Sequence, residues 1–160
     1  MLCLFGYSFF AHSSPLLPIL DRETSPNAYY AQSPLLFWAI VAAGSRRFGG
    51  DPTLLESLTP GVMSLAMRWI QPRGTLIYVI QGLLILTSWP PPVSSLSSDI
   101  TFTLSGLIVH YALQIGLHYP TLSQDFTRMK LNLDDKEIQQ RTHLWTYCVI
   151  ICLAYVVLPV

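Results

Sequence analysis

Apolar residues in this chain gather into helix-length runs, separated by clusters of proline, glycine, serine and aspartate. Residues 98–120, SDITFTLSGLIVHYALQIGLHYP, carry the pattern most completely. Leu104, Leu107, Ile108, Tyr111, Ala112 and Ile115 recur at helical spacing and build one apolar face. Asp99 can cap the start by accepting backbone N–H bonds. Gly116 suits the left-handed C-terminal position, and Pro120 forbids continuation.

The same signals mark the other elements. Ser33–Pro34 opens a helix, with serine at the cap and proline in the first turn. Leu35, Trp38, Ile40, Val41 and Ala42 make that helix apolar nearly all round, as a buried helix is. Arg46 and Arg47 are expected in its last turn, where positive charge complements the dipole, before Gly49–Gly50 ends it. Asp51–Pro52 repeats the cap-plus-proline signal. Pro60 then predicts two separate or kinked pieces, Thr53–Ser57 and Gly61–Ile70. Gly74–Thr75 starts the next helix, with Leu76, Val79, Ile80, Leu83, Leu84 and Leu86 as its apolar residues. Pro90–Pro91–Pro92 stops it, and Pro90 to Ser98 reads as a surface loop.

Thr121 to Leu133 is polar and irregular. Asp134 and Glu137 then have capping-box spacing, from which a last helix should run toward the C-terminus. At the other end, Pro15, Pro18, Pro26 and Pro34 mark an irregular stretch from Ser13 to Pro34. Met1 to Phe10 is apolar, lacks a positive n-region and is short for a signal peptide. No segment alternates at period two over strand length, and no solenoid repeat occurs. The expected fold is all-α, a helical bundle of about five or six helices.

Composition narrows the function. The 160 residues allow one domain with a sizeable core, and 51% of them are hydrophobic against 11% charged. Nine basic residues balance nine acidic ones, and no more than two basic residues are adjacent, at Arg46–Arg47. Phosphate neutralisation by Lys and Arg supplies non-specific DNA affinity, so this chain is a poor DNA binder by itself. Cys3, Cys148 and Cys152 are its cysteines. Cys148 and Cys152 lie four apart on a predicted helix, with His143 nearby, but read as small buried hydrophobes rather than metal ligands. The odd count argues against a secreted disulfide scaffold.

Each catalytic reading is outweighed by a structural one. Gly49–Gly50 lacks the Lys-Ser/Thr of a phosphate loop, and Ser105 in LSGL is not in a nucleophile elbow. His110 and His118 read as one partly exposed helix residue and one terminal residue. Asp134 and Asp135 are adjacent at a helix start, where capping is the commoner role. Tyr29–Tyr30, Trp69 and Trp89 could line a pocket, although aromatic residues at helix interfaces usually fill core. No catalytic, cofactor-binding or metal residue is assigned, and an enzyme is not expected.

The order IQGLLILTSWPPP, a polar gap, then LSGLIVHYALQIGLHYP resembles the middle homology region of fungal zinc-cluster transcription factors, of the leucine-pathway-regulator type. PLLPILD (Pro15–Asp21), SPLLFWAIVAAGSRRF (Ser33–Phe48) and DKEIQQRTHLW (Asp135–Trp145) resemble it in the same order. Phe102 stands near a position where many members carry Trp, and His110 and Tyr119 near positions where many carry Arg. The resemblance implies a partial regulatory domain over residues 15–160, with an unassigned apolar N-terminus at 1–14. It implies a nuclear protein that restrains or exposes an activation segment, sometimes on sensing a metabolite. The zinc cluster that reads DNA needs six cysteines, so that module, its basic linker and the activation tail are expected outside this chain. Zinc is expected only there, and no cofactor here. Implied partners are a small-molecule metabolite effector and related factors in a homo- or hetero-oligomer, with DNA reached only through the missing module.

Two other classes compete. Thr142 to Val160 has no Asp, Glu, Lys or Arg over nineteen positions, near the ~20 that span a bilayer, which would suit a small helical integral membrane protein. Against that, the same helix starts among charges at Asp134, and the runs Pro34–Gly44 and Leu76–Trp89 are short for spanning. The third class is a plain interaction module that pairs with intact relatives.

Overall fold

The computed structural model of the protein describes residues 2–51, 53–68, 76–92, 99–126 and 133–157. Seven α-helices and no strand occur among them: α1 (Leu2–His12), α2 (Pro26–Gln32), α3 (Pro34–Ser45), α4 (Leu54–Arg68), α5 (Leu76–Ser88), α6 (Thr101–Gln114) and α7 (Asp135–Val157). A short 3-10 segment, Pro120–Phe126, follows α6. The helix start expected at Gly74–Thr75, the end of the Gly61–Ile70 piece, Trp69, and most of the Ser-rich loop lie outside the described residues, as does the side chain of Cys3.

The core is built on α3 and α5, whose side chains are buried nearly all round. Helix α3 takes α1, α2 and α4 on its other sides, while α5 takes α6 and α7. Gly82 is what lets α5 approach α3 closely. A Cβ at Gly82 would lie 3.2 Å from the Leu36 backbone, so the crossing is set by a missing side chain.

Local chemistry explains most helix ends. Ser33 serves two helices at once. Its backbone N–H donates to the Tyr29 carbonyl at the end of α2, and its Oγ accepts the Leu36 N–H at the start of α3. Asp99 accepts the N–H of Thr101 at 2.8 Å and its hydroxyl at 2.6 Å, acting one residue before the cap position at Ile100. Asp51 does the same for Thr53 ahead of α4. These bonds hold the Asp51 carboxyl below its ordinary range. Helix α6 closes in a Schellman motif, with Leu117 N–H donating to Ala112 and Gly116 N–H to Leu113. Gly116 is left-handed there, at φ 68°.

One unassigned stretch takes a structure, and three expectations are corrected. The apolar N-terminal stretch forms α1, whose Phe5 and Phe9 bury against the core. Within the supposedly irregular Ser13–Pro34 stretch, Ser25 caps α2 through Ala28 N–H with Pro26 in the first turn. Helix α3 stops at Ser45, short of Gly49–Gly50, with Arg46 at its C-cap and the Phe48 N–H closing a turn on the Ser45 carbonyl; the Arg46 guanidinium reaches the Pro90 carbonyl at 2.6 Å. Finally, α4 runs through Pro60 without dividing. Pro60 and Glu56, whose carbonyl the missing N–H would have served, both face solvent. Water can satisfy that carbonyl, so the break is not forced.

Helix α7 begins with the anticipated capping box. Asp134 Oδ1 accepts the Glu137 N–H at 2.7 Å, and Glu137 Oε2 accepts the Asp134 N–H at 3.0 Å. Asp134→Ala should therefore lower the unfolding free energy by about 1 kcal/mol, read from urea titration. Farther along, Arg141 is only 9% exposed and donates to the Ile115 carbonyl at 2.9 Å. Its charge thus lies at the negative end of the α6 dipole and ties α7 to α6. The Tyr155 hydroxyl donates to the Thr87 carbonyl, fixing α7 to the end of α5.

Candidate functional site

Two cavities flank the segment between α1 and α2. The first holds about 540 Å³, within the range of small-molecule pockets. Its floor is the buried face of α3, at Phe37, Ile40 and Val41. One wall comes from α1 (Gly6, Tyr7, Phe10 and Ala11), and the opposite wall from Pro26 and Tyr29 of α2. The rings of Phe10 and Tyr29 stack across the inner end at 6.2 Å. Arg22 and Thr24 of the connecting segment complete the lining.

Tyr29 is the hinge of this arrangement. Burial pushes its phenol up to about 12, so it stays neutral, and its hydroxyl donates to the Asp21 carbonyl. A side-chain hydrogen bond joins it to Thr24. That cluster fixes the turn carrying Arg22, with Glu23 N–H donating to Asp21 Oδ1 at 3.0 Å. Gln81 on α5 anchors the segment upstream by donating to the Ile19 carbonyl at 2.9 Å.

The second cavity, about 580 Å³, lies on the other side of Thr24 and Tyr29, which line both. It is bordered by α5 and α7 and carries charges of both signs, with Asp21 and Glu137 facing the same space as Lys136 and Arg141. The apolar cavity is therefore the better defined binding volume, since its polar groups are few and sit together.

None of the constellations weighed in the sequence is assembled into a reaction centre. His110 is exposed on α6. His118 sits beyond the helix end among the rings of Tyr119, Phe126 and Trp145, at 4.7, 5.0 and 5.9 Å. Ser105 Oγ donates to the Phe102 carbonyl within its own helix. Asp134 is occupied by the capping box, and Gly49–Gly50 belong to the α3–α4 connection. Cys148 is fully buried, and that burial pushes its thiol up to about 12, whereas Cys152 is half-buried. Among the described residues no group of three or more His, Cys, Asp or Glu could hold a metal ion.

Of the aromatic residues considered as pocket walls, Tyr29 lines both cavities. Tyr30 meets Phe37 edge-on, and Trp89 meets Phe9 edge-on. Sequence reasoning missed Gly6, Phe10 and Arg22. Gly6 carried the available signal: it interrupts an apolar helix where no turn requires glycine.

Residues 7–151 match the fungal specific transcription factor domain. The chain belongs to that family. It is 34% identical over 140 residues to "Putative transcription factor SEF1" of Kluyveromyces lactis, covering 86% of this chain and 12% of that protein. It is 35% identical over 135 residues to "Transcriptional regulatory protein SEF1" of Candida albicans, covering 82% and 14%. "Regulatory protein LEU3" of Saccharomyces cerevisiae is 29% identical over 147 residues, covering 82% and 16%. The chain thus spans between 12% and 16% of these relatives' lengths. No solved structure matches it. The family match begins inside α1 and so extends beyond Pro15, where the resemblance in sequence began. Among the described residues no helix is long and apolar enough to cross a membrane, so the spanning reading of 142–160 is not favoured.

Proposed function

We propose that this chain is the regulatory, middle homology region of a fungal zinc-cluster transcription factor and that it modulates activation in the nucleus. The observation that carries the reading is the family match over residues 7–151, which takes in every helix from α2 to α6 and most of α7. The relatives' names as transcriptional and regulatory proteins support it. The balance of nine basic against nine acidic residues supports DNA contact through a separate zinc-cluster module rather than through this one. The role is non-enzymatic, and zinc belongs to that other module.

In physical terms, the domain holds two helical packings whose balance a small effector shifts by binding one of them better. The segment from Ser13 to Ser25 is the natural moving part. Beyond its packing, three side-chain bonds from other elements or turns restrain it, at Ile19, Asp21 and Thr24.

A reporter experiment tests the proposal. The chain is placed between a heterologous DNA-binding module and an activation segment, beside a fusion joined by a flexible linker of equal length. Reporter output is expected to differ between the two fusions, and Ile108→Asp in the chain should abolish the difference by unfolding it. Equal output at equal protein level would overturn the reading.

A further inference from the structure

Resting on that regulatory reading, we propose that the cavity between α1, α2 and α3 is the effector site, and that it takes a monocarboxylate with an apolar body. Three features lead there. The first is shape. Gly6 occupies the middle of α1, where glycine weakens a helix relative to alanine. A Cβ added at Gly6 would meet nothing within 4 Å, and Gly6 lines the cavity. The missing side chain is therefore part of the cavity's volume.

The second is charge. Arg22 is the one residue of formal charge lining this space, and the neighbouring carboxylates of Asp21 and Glu23 are not part of the lining. Its guanidinium is left without a protein partner among the described residues, while Asp21 Oδ1 is taken by the Glu23 N–H. A planar fork of donors matches a carboxylate better than an amine or an alcohol.

The third is polarity. Phe10, Ile40, Val41 and the face of Tyr29 give the remaining volume an apolar surface with no second cation for a second acid group. The body of the ligand would lie over α3 and its carboxylate would face Arg22 at the connecting segment. Occupancy then bridges α1, α3 and the segment that Tyr29 and Gln81 tether. That is how a ligand confined to one cavity would favour one packing of the domain.

The test uses the full 160-residue chain and four probes: octanoate, 1-octanol, octylammonium and acetate. Calorimetry and thermal melting should show octanoate binding about tenfold more tightly than octylammonium or octanol, with no binding of acetate. Gly6→Leu should keep the helical circular dichroism and melt no lower than the parent, yet lose octanoate binding because leucine fills the space. Arg22→Gln should bind octanoate and octanol alike. Octanoate binding that survives Gly6→Leu, or equal binding of octanoate and octylammonium by the parent, would overturn the proposal. So would absence of octanoate binding. Reporter control by the chain without octanoate binding would sink the site and leave the regulatory reading standing. Octanoate binding with a flat reporter would sink the regulatory reading instead.

Discussion

Ile108→Ala is expected to lower the unfolding free energy by about 2–5 kcal/mol, the usual cost of emptying a fully buried aliphatic site. Ile108 has no exposed surface and sits on α6 where that helix is held between α5 and α7. Neighbouring elements close it from two sides, so the space left by alanine cannot readily collapse. Leu107, one step round the helix, is half-buried. It should lose only part of that amount on truncation, roughly in proportion to the area it hides. His110 is exposed, and His110→Ala should stay within about 0.5 kcal/mol. Urea titrations with unchanged slope give all three values. Similar effects at the three positions would mean that α6 presents a different face to the core.

That graded expectation is sharper than periodicity alone supplies. The apolar spacing in α6 places Leu104, Ile108, Tyr111 and Ala112 in the core, and they are buried. Spacing cannot rank Leu107 against Ile108, because the ranking depends on where α5 and α7 lie. The buried face also includes Thr101 and Ser105, two polar residues that close their hydroxyl bonds locally, to the Asp99 carboxylate and the Phe102 carbonyl. Their burial carries no hydropathy signal.

Helix ends were legible where they are decided within a few residues. Ser33–Pro34, the Asp134–Glu137 box and Gly116 are all of this kind, each a backbone group satisfied by a near neighbour. Ser25–Pro26 carries the same signal as Ser33–Pro34, yet the density of prolines around it reads as loop. Where a distant residue intervenes, the local signal misleads. The Arg46 guanidinium, expected to serve the α3 dipole, instead meets the Pro90 carbonyl, forty-four positions away.

The cavity is of the second kind. Its lining comes from four stretches of chain, and no one of them has a motif. What the sequence does carry is indirect: a glycine without a turn at residue 6, and a lone arginine between two acids at 21–23. Both acquire meaning only when α1 is laid across α3. The capacity of this domain to hold a ligand thus depends on the α1–α3 contact.

Gly44→Val is the substitution that breaks that contact. A Cβ at Gly44 would collide with the backbone carbonyl of Phe5, and a carbonyl fixed in a helix cannot rotate aside as a flexible side chain can. The helix must instead move off α3. Phe5 would leave its edge-on contact with Phe48 at 5.2 Å, and Phe9 its contact with Trp89 at 5.9 Å. Overpacking of this sort costs about 3 kcal/mol or more when backbone has to shift. Gly61→Ala in α4 is the contrasting change: no atom lies within 4 Å of its added Cβ. It should gain about 0.5–1 kcal/mol from helix propensity. Urea titration reads both, and amide exchange at Ser13 and Ser14, whose N–H groups close the end of α1 on the Phe9 carbonyl, reports α1 directly. In Gly44→Val these amides should exchange faster while those of α5 and α6 hold. Unchanged exchange at Ser13 and Ser14 would mean that α1 keeps its seat without the glycine. Loss of protection across α5 and α6 as well would mean that α1 and the central helices unfold as one unit.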